Sequence, residues 1–200
     1  MSRGFSLIEL LVVIGIFGLI SAMVLANYPG FNHKVSIQNL AHLMALEVRQ
    51  AQVYGLSVKE TTAGSGAFPG YGVYFTSADL FSFILYTDTN NNKKYDVSGS
   101  CSSSPECLEK VAIASGDSLR KICAVRPNGQ RDCTSPSAGE GPLDYLNISF
   151  VRPDPDANIL GTYGAGPDVT YQKAEISVEP PQKDLYKTVV VWSTGQISIE

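Results

Sequence analysis

Glu9 is a lone carboxylate in the apolar run Phe5–Ala26, FSLIELLVVIGIFGLISAMVLA. In a helix crossing a bilayer, a charge costs on the order of 2.5–3.5 kcal/mol at the centre and less near the ends. Two kinds of chemistry would meet that cost. Glu9 lies one turn inside the run, so its carboxylate can snorkel to the headgroups. Alternatively, a cation sits at the same depth. A cut between Gly4 and Phe5 would create a new α-amino group, and that of a neighbouring subunit would serve. On residue physics the two readings stand level.

Cys101, Cys107, Cys123 and Cys133 form an even set confined to the later chain. Four cysteines allow three pairings. The C-x5-C and C-x9-C spacings favour local closure, 101 with 107 and 123 with 133. Zinc would ask for tighter pairs such as C-x2-C. Disulfides would place this part of the chain outside the cytoplasm.

A second constellation is Asp88-Thr89-Asn90-Asn91-Asn92-Lys93-Lys94-Tyr95-Asp96. Its side-chain oxygens at Asp88, Asn90, Asn92 and Asp96 have the spacing of the first part of an EF-hand-like calcium loop. Lys93 stands where the turn glycine belongs and Gly99 where the bidentate glutamate belongs. Those departures favour a solvated Asn-rich hairpin loop over calcium. No catalytic set accompanies these residues, so no enzyme is expected and no cofactor is required. His33 and His42 are far in sequence from the serine- and cysteine-rich segments and receive no ligand role. There is no H-E-x-x-H, no G-x-S-x-G and no phosphate-cradling glycine loop. Asp154 and Asp156 read as loop solvation.

The elements that hold these residues follow from an uneven composition. Of 34 charged residues, only Arg3 and Glu9 fall in the first 32 positions. Residues 61–200 hold 16 acids and 11 bases, a net of −5, with 13 of the 18 glycines and 10 of the 11 prolines. This pattern excludes a wholly soluble cytosolic protein, a polytopic membrane protein and a strongly basic nucleic-acid binder. Recurrent aliphatic and aromatic residues argue against disorder. As a helix rising ~1.5 Å per residue, Phe5–Ala26 would be roughly 33 Å long, enough to cross a bilayer. A cleaved secretory signal competes, since Arg3 is a minimal positive start and Val24-Leu25-Ala26 could pass for a cleavage site. Against it, the run Leu10–Ala26 exceeds the usual ~7–15 residues, and Glu9 stands at its mouth. With no cysteine before position 101, a lipoprotein is ruled out.

From His33 to about Lys59, the residues Ile37, Leu40, Ala41, Met44, Val48, Ala51 and Gly55 step by three or four, giving one helical face. Leu43, Leu46 and Val53 are expected to widen it. This helix should continue the membrane helix, with a break at Pro29-Gly30, and pack its stripe on a later sheet. After a Gly-rich loop, Thr61–Gly70, short strands are expected at Tyr71–Phe75, Leu80–Thr87, Lys110–Ile113, Leu119–Arg126, Leu146–Arg152, Gln172–Glu179, Lys187–Trp192 and Gln196–Ile199. Ser193-Thr194-Gly195 should turn the last two into a hairpin. Thr134–Asp144 and Pro153–Asp168 read as surface loops. With no helical pattern between strands, the sheet should be antiparallel.

Arg3-Gly4-Phe5-Ser6-Leu7-Ile8-Glu9-Leu10-Leu11-Val12-Val13-Ile14 resembles the processing motif of type IV prepilins and type II secretion pseudopilins. The resemblance covers about the first 30 residues. It implies that prepilin peptidase cuts after Gly4, that Phe5 becomes the N-methylated N-terminus, and that Glu9 is the assembly carboxylate. One departure is Ala26, near which many members have a kinking proline. LMALEVRQAQVYGLSVK resembles the helix-to-head segment of minor pseudopilins, the GspH/FimT-like group. The implied fold is α+β, a pilin-like ladle in which a long N-terminal helix packs its amphipathic half on an antiparallel head. Its parts would be a leader (1–4), a membrane and filament-core helix (5–28), an amphipathic helix (29–60) and a β-rich extracytoplasmic head (61–200). The implied partners are other pilin or pseudopilin subunits, prepilin peptidase and, before assembly, the cytoplasmic membrane, with no nucleic acid. The implied destination is a cell-surface or periplasmic filament. A membrane-anchored extracytoplasmic binding module or enzyme is the alternative.

Overall fold

The computed structural model describes residues 6–57, 68–96, 100–113, 116–183 and 185–200. The expected leader, Phe5 and most of the Gly-rich loop lie outside them. The chain divides into two compact units between Ser36 and Ile37.

Helix α1 (Leu7–Leu56) takes in both apolar stretches as one element. The break expected at Pro29-Gly30 is absent. A proline removes one helix hydrogen bond and costs about 3 kcal/mol, and the flanking turns of a 50-residue helix outweigh that. In the first unit the side chains of Leu7, Leu11, Phe17, Leu19 and Met23 are exposed. This stretch is long and apolar enough to cross a membrane, by length and composition.

In the second unit α1 buries Ile37, Leu40, Ala41, Met44, Val48 and Ala51. Leu43, Leu46 and Val53 do not widen that face, being 38%, 65% and 54% exposed. At about 100° per residue, Leu46 and Val53 point nearly opposite Met44. Gly55 lets α1 cross strand backbone closely, since a Cβ there would lie 2.3 Å from the Phe150 carbonyl oxygen.

Among the described residues the strands are β1 (Gly70–Thr76), β2 (Asp79–Asp88), β3 (Cys107–Ala112), β4 (Ser118–Val125), β5 (Arg131–Cys133), β6 (Gly141–Pro142), β7 (Tyr145–Phe150), β8 (Ala157–Thr162), β9 (Val169–Tyr171), β10 (Lys173–Glu179), β11 (Lys187–Trp192) and β12 (Ile197–Ile199). They form two sheets rather than one. The first runs β3-β2-β1-β7-β8-β9 and the second β12-β11-β10-β4-β5-β6. All pairings are antiparallel except β5 with β6, where Asp132 faces Gly141 in parallel.

Two of these strands fall where surface loops are expected. β8 lies inside Pro153–Asp168 and buries Ala157 and Ile159, while β6 lies inside Thr134–Asp144 beside buried Leu143. Their polar, glycine-rich surroundings hide them. What makes β8 a strand is pairing with β7 and β9, a tertiary effect that local composition does not carry.

Tyr71, Val73 and Phe75 of β1 join Met44 and Val48 of α1, and Ile122, Ile176 and Val189 of the second sheet, in one core. The alternate residue Tyr74 faces the other way. It packs with Tyr86 and Tyr95 in a smaller cluster beneath the segment that links β2 to β3.

Candidate functional site

Gly4 and Phe5 lie outside the described residues, and Glu9 stands in the first turn of α1. The Ser6 backbone N–H donates to Glu9 Oε2 at 2.9 Å, and the Glu9 N–H donates to Ser6 Oγ at 3.3 Å. This is a reciprocal capping box, which satisfies two amides at the helix start and places the carboxylate at the positive end of the helix dipole. Ile8, Val12 and Val13 flank it. The pattern Ser6-Leu7-Ile8-Glu9 is the S-x-x-E of a capping box, so Glu9 has a local partner as well as any distant cation.

The structure brings Asp88, Asn90, Asn92 and Asp96 together in the turn after β2. Asp88 is fully buried. Its Oδ1 accepts the Asn92 N–H at 3.0 Å and its Oδ2 the Lys93 N–H at 2.8 Å. Asn90 Oδ1 accepts the Asn92 N–H and Asn92 Oδ1 the Lys94 N–H. The Nδ2 groups of Asn90 and Asn92 both donate to Asp96 Oδ2, at 2.5 and 2.9 Å. Lys93 and Asn91 supply the sharp turn without glycine, at φ +67° and +59°.

Glu106 closes the turn, and the spacing of residues 88–96 gave no sign of it. Its Oε1 accepts both the N–H and the hydroxyl of Thr89, and its Oε2 accepts the Asp96 N–H at 2.8 Å. Nine residues separate it from Asp96, and it lies inside the Cys101–Cys107 disulfide loop, so no local motif contains both. Burial pushes the Asp88 carboxyl up, and the charge of Glu106 adds to this, against the backbone amides that favour its ionised form. Burial also pushes the Tyr86 hydroxyl far up, with Asp88, Glu106 and Asp96 contributing. Tyr95 anchors the turn to the sheet by donating its N–H to Asn147 Oδ1 at 2.9 Å.

Disulfides join Cys101 to Cys107 and Cys123 to Cys133. The second links facing residues of β4 and β5. Among the described residues, the trio of metal-ligand side chains with atoms within 4.8 Å is Cys123, Cys133 and Glu140, and the disulfide consumes both sulfurs. His33 is half-buried on α1 and His42 is exposed, while Asp154 and Asp156 are exposed loop residues.

A family profile described as the prokaryotic N-terminal methylation motif matches residues 1–25. No curated protein and no solved structure matches the chain. The matched residues end within α1 and take in the capped Glu9. At its N-terminus this chain therefore carries the type IV pilin and pseudopilin signature.

Proposed function

We propose that this chain is a structural, non-catalytic subunit of a type IV pilus or type II secretion pseudopilus. Residues 5–28 hold it in the cytoplasmic membrane, and residues 61–200 form an extracytoplasmic head, with 29–60 as the helix between. Prepilin peptidase cuts after Gly4 and methylates the Phe5 amine. The mature chain then moves into a filament and packs there against other pilin or pseudopilin subunits. Glu9 offsets the Phe5 amino charge of an adjacent subunit inside the apolar filament core, fixing axial register.

The observation that carries this reading is Glu9 itself, the one acid among the exposed apolar side chains of Leu7–Leu25, placed within the methylation motif. The two disulfides support an extracytoplasmic head, because such bonds persist in oxidising compartments. Intact mass of the chain from its native membrane tests the processing step. Loss of Met1–Gly4 with gain of one methyl group is expected. A retained Met1, or a cut after Ala26, would instead indicate an anchored or secreted binding module.

A further inference from the structure

We propose that Ser6 is the positioning residue for Glu9. Its Oγ fixes the Glu9 amide and so the turn that carries the side chain, its backbone N–H takes one carboxylate oxygen, and the other oxygen is left for the incoming cation. The consequence for assembly rests on the filament reading, whereas the geometry does not. Both members of the box lie beyond the Gly4–Phe5 bond, so removal of residues 1–4 leaves it within the chain. Oε2 is engaged by the Ser6 N–H, and among the described residues Oε1 has no hydrogen-bond partner.

This division of labour matters because the neighbouring side chains are apolar. Ile8, Val12 and Val13 flank Glu9 and offer no donor. A carboxylate removed from water needs replacement hydrogen bonds or a counter-charge. The backbone N–H of Ser6 supplies the first while the subunit waits in the membrane, with Ser6 Oγ holding the turn in place, and the second arrives at assembly. The box also limits the rotamers of Glu9, so less ordering remains to be done when the cation arrives. A 50-residue helix depends little on one cap for its own existence, so what Ser6 Oγ secures is local: the Glu9 amide, and through it the first turn on which the carboxylate is mounted.

Amide exchange and filament incorporation test this together. Full-length chain in detergent micelles is compared as wild type, Ser6→Ala and Ser6→Thr. Ser6→Ala is expected to speed exchange of the Glu9 amide about fivefold, the size of a lost cap, and Ser6→Thr to stay near wild type. In cells that also express wild type, tagged Ser6→Ala chains, confirmed as cleaved by mass, are expected in filaments at about one-fifth of the wild-type level, again rescued by Ser6→Thr. Equal Glu9 exchange in Ser6→Ala and wild type would overturn the box. Faster exchange with normal incorporation would overturn the positioning role. If tagged wild type itself stays out of filaments, the filament reading fails while the exchange arm still judges the box. If Ser6→Ala is not cleaved, the exchange arm again decides.

Discussion

Gln52 donates through Nε2 to the Gly195 carbonyl at 3.2 Å, and at the same distance to the Pro155 carbonyl. Pro155 leads into β8 of the first sheet, and Gly195 lies in the β11–β12 turn of the second. One side chain of α1, only 6% exposed, thus ties the helix to both sheets. Its Oε1 accepts from Arg49 Nη1 at 2.5 Å, so no polar atom of the amide is left unserved.

Replacing Gln52 with Leu keeps the volume but leaves two carbonyls without their donor. A cost of about 2 kcal/mol is expected. For a domain of this size that lowers Tm by roughly 4–8 °C. Thermal melting of the full-length protein in detergent checks it, and an unchanged Tm would show the clamp to be incidental.

Acid should weaken the head through paired carboxylates. Burial raises Asp168, but hydrogen bonds from Lys94 and the Tyr145 hydroxyl outweigh it and hold the carboxyl below its usual value. For Glu140 the hydrogen bond from Lys121 is the leading cause, followed by the Ser137 amide, and the direction is the same. A carboxyl depressed in the folded state stabilises the fold above its unfolded pKa, and that contribution disappears as pH falls through the folded value. Asp88 and Glu47 have the opposite sign. Burial raises both, with Glu106 and Glu109 adding, so each costs stability as pH climbs from the ordinary carboxylate value through the raised one. Melting curves across pH should therefore fall steeply only below about pH 4. Asp168→Asn should flatten that acid limb, and an identical profile in the variant would contradict the pairing.

The turn after β2 gives a separate prediction about calcium. The side-chain oxygens of Asp88, Asn90 and Asn92 already serve backbone amides, and Asp96 Oδ2 serves two side-chain amides. Added calcium is expected to leave the Tm unchanged. Glu106→Ala should lower it by depriving the Thr89 and Asp96 amides, at about 1–3 kcal/mol. A calcium-dependent rise of several degrees in the wild type would show that the turn rearranges around a cation.

Much of this organisation is legible in the residues. The apolar run, the stripe from Ile37 to Ala51 and the turn at Ser193-Thr194-Gly195 all follow from periodicity and turn chemistry. Leu46 and Val53 misled because an apolar residue is not tied to the core side of a helix, and only the angle around the axis distinguishes the two. β8 escaped detection because Ala157–Thr162 gains its strand character from neighbours far away in the chain. Glu106 was invisible for a related reason, since it reaches Thr89 across a sequence separation of 17. At the N-terminus the reverse holds. Ser6 and Glu9 are three residues apart, and their box is a local motif in which neutral backbone and hydroxyl groups partner Glu9, which charge pairing does not reveal.

The most direct measurement is filament incorporation of Glu9→Ala beside wild type in the same cells, with cleavage and head folding followed separately. Loss of the Glu9 carboxylate should leave the disulfides and the head intact and abolish incorporation. Incorporation of Glu9→Ala at the wild-type level would contradict the assembly role assigned to that carboxylate.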